Sequence, residues 1–186
     1  MRFLVPLLLI SSTVAHAEGF YVEGGSLARH YDLSAPGASG GSAKGTSLSG
    51  ALRLGYEIDD RWAVEAGYVS HGSPGYAYRL GAQDSRLTSH GHSWLLGGRA
   101  TWPINERLAL VGRLGLARNE SRLTGTGEAA SRAVSGSTTA LYGGLGLETT
   151  LAPQWRLGLA WEHLGMSREK GGAVINGIST TLRYKF

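Results

Sequence analysis

The chain has 186 residues, a formal net charge of +4 and no cysteine. That length suits one domain, and the lack of cysteine excludes a disulfide-stapled scaffold, so packing and hydrogen bonding must hold the fold. Its 18 Lys and Arg residues are scattered singly, which argues against a nucleic-acid surface despite a pI near 9.6.

The N-terminus reads as an export address. Met1-Arg2 is a short positive region, Phe3 to Ile10 is apolar, and Ala15-His16-Ala17 is the small-x-small pattern that signal peptidase recognises. The apolar run is too short to cross a bilayer as a helix. Residues 1–17 are therefore expected to be a signal peptide, and residues 18–186 one domain that begins near Glu18.

From Phe20 onward the chain alternates with a period of two. Phe20–Tyr31 obeys the rule loosely. Leu48, Gly50, Leu52, Leu54, Tyr56 and Ile58 then alternate with Ser47, Ser49, Ala51, Arg53, Gly55 and Glu57. Trp62, Val64, Ala66 and Tyr68 oppose Ala63, Glu65, Gly67 and Val69. Trp94–Trp102 is again looser. Leu108, Leu110, Gly112, Leu114 and Leu116 set one face, with Arg113 and small residues on the other. Leu141, Gly143, Leu145 and Leu147 oppose Tyr142, Gly144, Gly146 and Glu148. Trp155, Leu157, Leu159 and Trp161 oppose Arg156, Gly158, Ala160 and Glu162. Finally Ile178, Thr180, Leu182, Tyr184 and Phe186 oppose Ser179, Thr181, Arg183 and Lys185. Such spacing puts the apolar set on one sheet face and the polar set on the other. A mean hydropathy of −0.10 does not argue against a membrane, because alternating barrel strands average out near zero.

A soluble sandwich would alternate too. Two further patterns separate the alternatives. The connections alternate in length: Asp59-Asp60-Arg61, Pro103–Glu106 and Ala152–Gln154 are tight turns. Between them, Asp32–Thr46, His71–Ser93 and Arg118–Ser137 read as long loops, with a shorter one at Gly165–Gly172. Short periplasmic turns and long external loops are the outer-membrane barrel arrangement. The aromatics also sort to strand ends. Threading upward from the periplasm puts Phe20, Tyr56, Trp62, Trp102, Trp155 and Phe186 at a lower rim, and Tyr31, Tyr68, Trp94 and Trp161 near an upper one. Aromatic rings prefer the membrane interface, and a sandwich has no reason to sort them so. The expected fold is all-β, a closed antiparallel eight-stranded up-and-down transmembrane barrel.

The polar parity carries Glu23, Glu57, Glu65, Glu148 and Glu162 beside Arg29, Arg53, Arg99, Arg113, Arg156 and Arg183. Unpaired, each would cost several kcal/mol in a dry interior. Across a narrow lumen they can pair, as a structural charge network or as an ion pathway. Eight strands leave room only for side chains or one small ligand, which favours a salt-bridged plug. Leu114 is assigned to lipid and its neighbour Gly115 to the polar lumen, where a Ser is expected to cost little.

Leu54-Gly55-Tyr56-Glu57-Ile58, a tight turn and Val64-Glu65-Ala66-Gly67-Tyr68 resemble the second hairpin of the OmpA/OmpX-like eight-stranded barrels. Arg113-Leu114-Gly115 resembles that family's fifth strand. The ending Thr181-Leu182-Arg183-Tyr184-Lys185-Phe186 is similar to the signal read by the barrel-assembly machinery. The resemblance spans the mature chain. It implies interior Glu–Arg salt bridges, an assembly role for Tyr184 and Phe186, and outer-membrane lipids and lipopolysaccharide as neighbours. OmpA itself continues into a peptidoglycan-binding domain; this sequence stops at the barrel, so cell-wall tethering is not expected.

Some barrels of this size deacylate or acylate lipid A, the deacylases through a His-x-Ser pair. His71-Gly72-Ser73 has that spacing, but it shares the inward parity of Glu65, away from acyl chains. His163, Glu162 and Ser167 match neither spacing nor phase, so no catalytic residue is assigned. His71, His90 and His92 lack a clear set of further ligands, and no metal or cofactor is expected. Loop one, Ser34 to Ser42, is flexible and lacks an aromatic anchor, whereas Tyr76, Tyr78, Arg79 and Arg86 have the composition of an interface. Asn119-Glu120-Ser121 is a chance sequon in a bacterial chain. The expected function is a monomeric, non-enzymatic envelope or surface protein with no nucleic-acid partner and an unidentified surface ligand at most. The alternatives are a lipid A-modifying enzyme, a narrow pore and an adhesin.

Overall fold

The computed structural model describes residues 19–34, 42–72, 75–80, 83–126, 134–165 and 175–186. The expected signal peptide lies outside the described residues. Among them there are nine strands and no helix: β1 (Phe20–Ser34), β2 (Ser42–Glu57), β3 (Trp62–Ser70), β4 (Gly75–Leu80), β5 (Gln83–Pro103), β6 (Leu108–Thr126), β7 (Val134–Ala152), β8 (Trp155–Leu164) and β9 (Ile175–Lys185).

Every neighbouring pair is antiparallel. β3 pairs with β5 from Trp62↔Ala100 to Ser70↔His92, and β4 continues the same stave against β5 from Gly75↔Thr88. Gly72, at φ +69°, takes up the break between them. β1 pairs with β9 from Tyr21↔Lys185 to His30↔Asn176, so the eight staves close on themselves. At the seam the Phe186 amide donates to the Phe20 carbonyl at 3.1 Å. Closure leaves the wall with no free edge, the one arrangement of strands that satisfies every backbone group in hydrocarbon.

The tight turns have a local chemical cause. Asp59 Oδ1 accepts from the Arg61 and Trp62 amides, both at 2.7 Å. Asn105 Oδ1 does the same for Arg107 and Leu108, at 2.9 and 2.8 Å. A short side chain with an acceptor oxygen thus closes each reversal before the next strand begins. At the third turn the β7–β8 register shifts between Thr150 and Ala152, a bulge that ends the pairing.

The other end departs from the sequence reading, which places long loops at Asp32–Thr46, His71–Ser93 and Arg118–Ser137. Instead, the β1–β2 ladder runs on to Ser34↔Ser42, β5–β6 to Arg86↔Thr126, and β6–β7 to Leu123↔Val134. Tyr76, Tyr78 and Arg79 stand in β4 and Arg86 in β5. Most of loop one and of Gly165–Gly172 lies outside the described residues. Once clear of the bilayer neither face must be apolar, so these strands lose their alternation while keeping their ladder hydrogen bonds.

The wall is inverted relative to a soluble protein. Leu52, Leu54, Leu96, Leu114, Leu141, Leu145 and Leu159 are exposed, while Glu23, Arg53, Glu65, Arg99, Arg113, Glu148 and Arg183 are buried. A continuous exposed apolar belt of this kind requires lipid outside it. The aromatics bound that belt. Toward the tight turns, Phe20 packs on Tyr56 and Trp155 on Tyr184, at ring separations of 4.8 and 4.9 Å, with Trp62 and Trp102 exposed nearby. At the far side Tyr68 meets Trp94 edge-on at 5.0 Å, and Trp161 is likewise exposed on the outer face. Tyr68 lies six positions after Trp62 and Trp102 eight after Trp94, about 20–26 Å of strand. That fits an apolar band about 25 Å tall.

The expectation for Gly115 is overturned. The Tyr142 ring lies against it, and a Cβ there would come within 2.6 Å of both Tyr142 Cε1 and Gly97 Cα. A side chain at position 115 meets a filled interior rather than a watery one. Leu114→Arg is expected to cost about 2–4 kcal/mol, as for a cation at the bilayer midplane. Gly115→Ser is expected to cost about 1–3 kcal/mol by overpacking, and Gly50→Ser, whose Cβ would have nothing within 4 Å, close to none. Equilibrium unfolding in lipid vesicles measures all three. A Gly115→Ser variant as silent as Gly50→Ser would contradict the packing of Tyr142.

Candidate functional site: the charged lumen

Alternation alone brings ten of these inward charges together. The odd-numbered side chains of β1, β2, β3, β5, β6 and β9 and the even-numbered ones of β7 and β8 project into the same narrow bore. Near the tight turns, Arg183 bridges Glu57 at 2.8 Å and Glu148 at 2.7 Å, and Lys185 reaches Glu57 at 2.6 Å. Glu148 also holds Arg99 at 2.9 Å and Arg156 at 3.2 Å. Arg99 then approaches Glu65 at 3.9 Å, and Glu65 meets Arg113 at 3.1 Å. Arg113 reaches Glu23 at 2.6 Å, Glu23 meets Arg53 at 3.0 Å, and Nη2 of Arg53 donates to both oxygens of Glu162 at 2.9 and 2.8 Å. The chain of contacts is continuous from Lys185 to Glu162.

Five carboxylates face five guanidiniums in this network, so among the described residues it is balanced before Lys185 is added at its rim. Most acids serve two or three bases. That sharing offsets much of the desolvation penalty, which a lone buried pair rarely recovers. Each of Arg53, Arg113 and Arg183 uses different nitrogens for different acids, which the several donors of a guanidinium allow.

Two tyrosines complete the packing, and sequence reasoning assigns them no role. Tyr21, 1% exposed, donates its hydroxyl to Glu65 at 2.6 Å. Its ring lies under Arg183 and Arg99, 4.8 and 5.8 Å from the two guanidinium carbons. Room for that ring comes from Gly55, where any Cβ would collide with Tyr21 Cζ. Tyr21 shares the parity of Glu23, so its inward direction is readable in the sequence. Its dependence on a glycine across the ladder is not.

Farther from the turns the character changes. Val69, Leu95, Ala117, Tyr142 and Leu164 form an apolar layer across the bore. Voids beside these layers are small: one between Val111, Arg113 and Glu148 and another between Leu27, Val69 and Leu95 are each about 10 Å³. That is about the space of a single water.

A polar cluster sits beyond the apolar layer. His71 Nε2 and Ser93 Oγ are 2.6 Å apart, Ser93 Oγ donates to Asn119 Oδ1, and Asn119 Nδ2 donates to the Gly165 carbonyl at 3.3 Å. The cluster resembles a hydroxyl nucleophile beside a base. However, Ser93 is wholly buried and spends its proton on Asn119. His71 therefore meets a serine 22 residues away in sequence; Ser73 lies outside the described residues. His90 and His92 stand on the opposite face of the wall from His71, so the three do not converge. His163 bonds Asn176 Oδ1 at 2.7 Å and stacks on Trp161. At the last strand, the Tyr184 and Phe186 rings meet edge-on at 5.1 Å.

A closed eight-stranded wall, apolar outside and charged within, defines the class of small outer-membrane barrels. The chain matches the outer membrane protein beta-barrel domain family over residues 3–186 and belongs to that family. Its membership points to the bacterial outer membrane. No curated protein sequence matches it significantly. Similar solved structures include Ail, the attachment invasion locus protein of Yersinia pestis, at 18% identity and TM-score 0.52, covering 91% of this chain and 99% of that one. Neisserial surface protein A shares 20% identity at TM-score 0.55, with coverages of 90% and 97%. OprG from Pseudomonas aeruginosa shares 14% at TM-score 0.54, also with 90% and 97%. At these identities the likeness is one of fold.

Truncating one partner of the network is expected to cost about 3–5 kcal/mol, because it strands a buried charge. Double-mutant cycles on Glu65/Arg113 and on Glu148/Arg183, using Gln and Met replacements, are expected to show coupling of about 0.5–3 kcal/mol. Strict additivity at both pairs would mean that the contacts carry no energy.

Proposed function

We propose that the protein is a monomeric, non-enzymatic structural or surface protein of the bacterial envelope whose lumen is plugged. The observation that carries this reading is the unbroken Glu–Arg network under an apolar layer, with two voids of only about 10 Å³ each beside it. A hydrated ion would have to displace a multiply paired guanidinium and then cross Leu27, Val69 and Leu95. The aliphatic side chains of that layer offer no replacement ligands for its water. The reading against an enzyme rests on Ser93, whose hydroxyl has no route to substrate. Export by residues 1–17, removed on maturation, belongs to the same proposal, as does close contact of the outer wall with lipid and lipopolysaccharide.

Planar-bilayer recording tests the plug. The folded protein is expected to give no stepwise conductance, and regular steps in every insertion would make it a pore. Lipid A from a deletion strain is expected to have the same mass spectrum as that from its parent; an altered acyl pattern restored by complementation would make it an enzyme.

Assembly is proposed to use the final strand, read by the barrel-assembly machinery through Tyr184 and Phe186. A weakly apolar strand cannot be sorted by hydropathy, whereas edge pairing with aligned aromatics supplies both affinity and specificity. Phe186 is exposed, with one amide bond at the seam, so its deletion should cost the finished barrel little. The deletion is nonetheless expected to reduce the folded fraction in the outer membrane severalfold, seen as heat-modifiable mobility on gels. Wild-type levels would remove Phe186 as an assembly signal.

A further inference from the structure

The outer wall beyond the aromatic belt carries a feature that the lumen does not explain. On β3, β5, β6 and β7 the lipid-facing parity continues upward, and its residues pair in rows. Tyr68, Trp94 and Arg118 stand side by side in the first row. His92 and Glu120 pair in the second, and His90 and Arg122 in the third, each row about 7 Å of strand farther from the tight turns. β7 closes these rows with Thr139, Ser137 and Ser135. The wall is concave here, and the upper two rows with Arg118 line an open hollow of about 710 Å³.

The composition changes abruptly along this one face. Below Trp94 the outward residues are Leu96, Leu114 and Leu116. Above it they are guanidinium, imidazole and hydroxyl. Arg118 is 65% exposed, and Glu120 lies between it and His92, at 3.8 and 3.5 Å. Tyr68 stacks against His92 at 5.5 Å and so orients the imidazole above the belt. Arg122 is exposed and has no ion-pair partner among the described residues. Two guanidiniums against one carboxylate leave the hollow positive without any contribution from the imidazoles.

Position selects the ligand. An aromatic pair marks the level where acyl chains give way to headgroups. The groups that a membrane places just beyond that level are phosphates, and a protein wall standing in the membrane meets them at high local concentration. Guanidiniums favour phosphate through forked hydrogen bonds, and hydroxyls add further donors. We infer that the hollow formed by Arg118, Arg122, His90 and His92 binds the phosphorylated headgroup of an outer-leaflet lipid. Its acyl chains would run down the Leu96–Leu114–Leu116 surface beside Trp94. This inference rests on the outer-membrane placement of the family and not on the plugged lumen, so a conducting barrel would leave it standing.

Lipid A supplies the probe. The folded full-length barrel, in neutral detergent micelles, is titrated with bis-phosphorylated lipid A and with the same lipid stripped of both phosphates, and bound lipid is read by native mass spectrometry. Wild type is expected to prefer the phosphorylated lipid by roughly thirtyfold, since each Arg near an anionic surface contributes about a factor of five. Arg118→Gln/Arg122→Gln is expected to abolish the preference, while Arg107→Gln, an exposed cation at the tight-turn end, keeps it. Heat-modifiable mobility checks that the variants fold. The proposal is overturned if wild type holds both lipids equally, or if the double variant retains the preference. It is also overturned if sucrose octasulfate binds in an Arg118- and Arg122-dependent manner while lipid A shows no phosphate preference. That result would assign the hollow to a soluble polyanion.

Discussion

Hydrocarbon offers no partner to a backbone N–H or C=O group, and every other feature of this chain depends on how that demand is met. Strands satisfy it only by closing into a ring, here at the β1–β9 seam and across β3–β5. Closure then fixes two environments that alternate residue by residue along each strand. One is lipid, wide and apolar. The other is a narrow bore, of a width that side chains pointing into it can fill. The outer set can be monotonous, and it is mostly leucine. The inner set must be matched piece by piece.

That matching explains why charge fills the bore. A dry apolar core of eight strands would need tight shape complementarity along its whole length, whereas long flexible guanidiniums and carboxylates can adjust until each lone pair and proton is used. The network does so nearly everywhere, leaving the Nε atoms of Arg53, Arg99 and Arg183 without hydrogen-bond partners. Where large rings enter, the wall must yield instead: Gly55 accepts Tyr21, and the facing Gly97 and Gly115 accept Tyr142. The abundant glycine of this sequence is in part the negative image of its interior rings.

The sequence carries the phase of the wall openly. Each strand in the bilayer must satisfy lipid on one side, so a misphased Leu or Glu is expensive, and the parity of Glu65 or Leu114 is readable without any structure. Which charges share the bore is legible for the same reason. Which acid meets which base is not, since that depends on the stagger of the strands, and Arg53 finds Glu162 109 residues away. The crown reads wrongly because the constraint ends there. With water on both sides, a Gly- and Ser-rich ladder and a Gly- and Ser-rich loop have the same composition. Gly115 reads wrongly for a third reason: a polar lumen in outline is a packed one in detail, and only the position of the Tyr142 ring distinguishes them.

The separation of parities has a consequence for how such a protein can change. Substitutions on inward positions act on stability through a network whose members are coupled, so they are constrained jointly. Substitutions on outward positions above the belt touch neither the network nor the closure. Arg118 and its neighbour Ala117 illustrate the point: one is exposed beside Trp94, the other is wholly buried against Tyr142 and Leu95. Adjacent residues thus answer to different solvents. A barrel of this kind can retune what its outer wall meets at the headgroup level while its interior stays fixed, because the strand places the two functions on faces that share a backbone and nothing else.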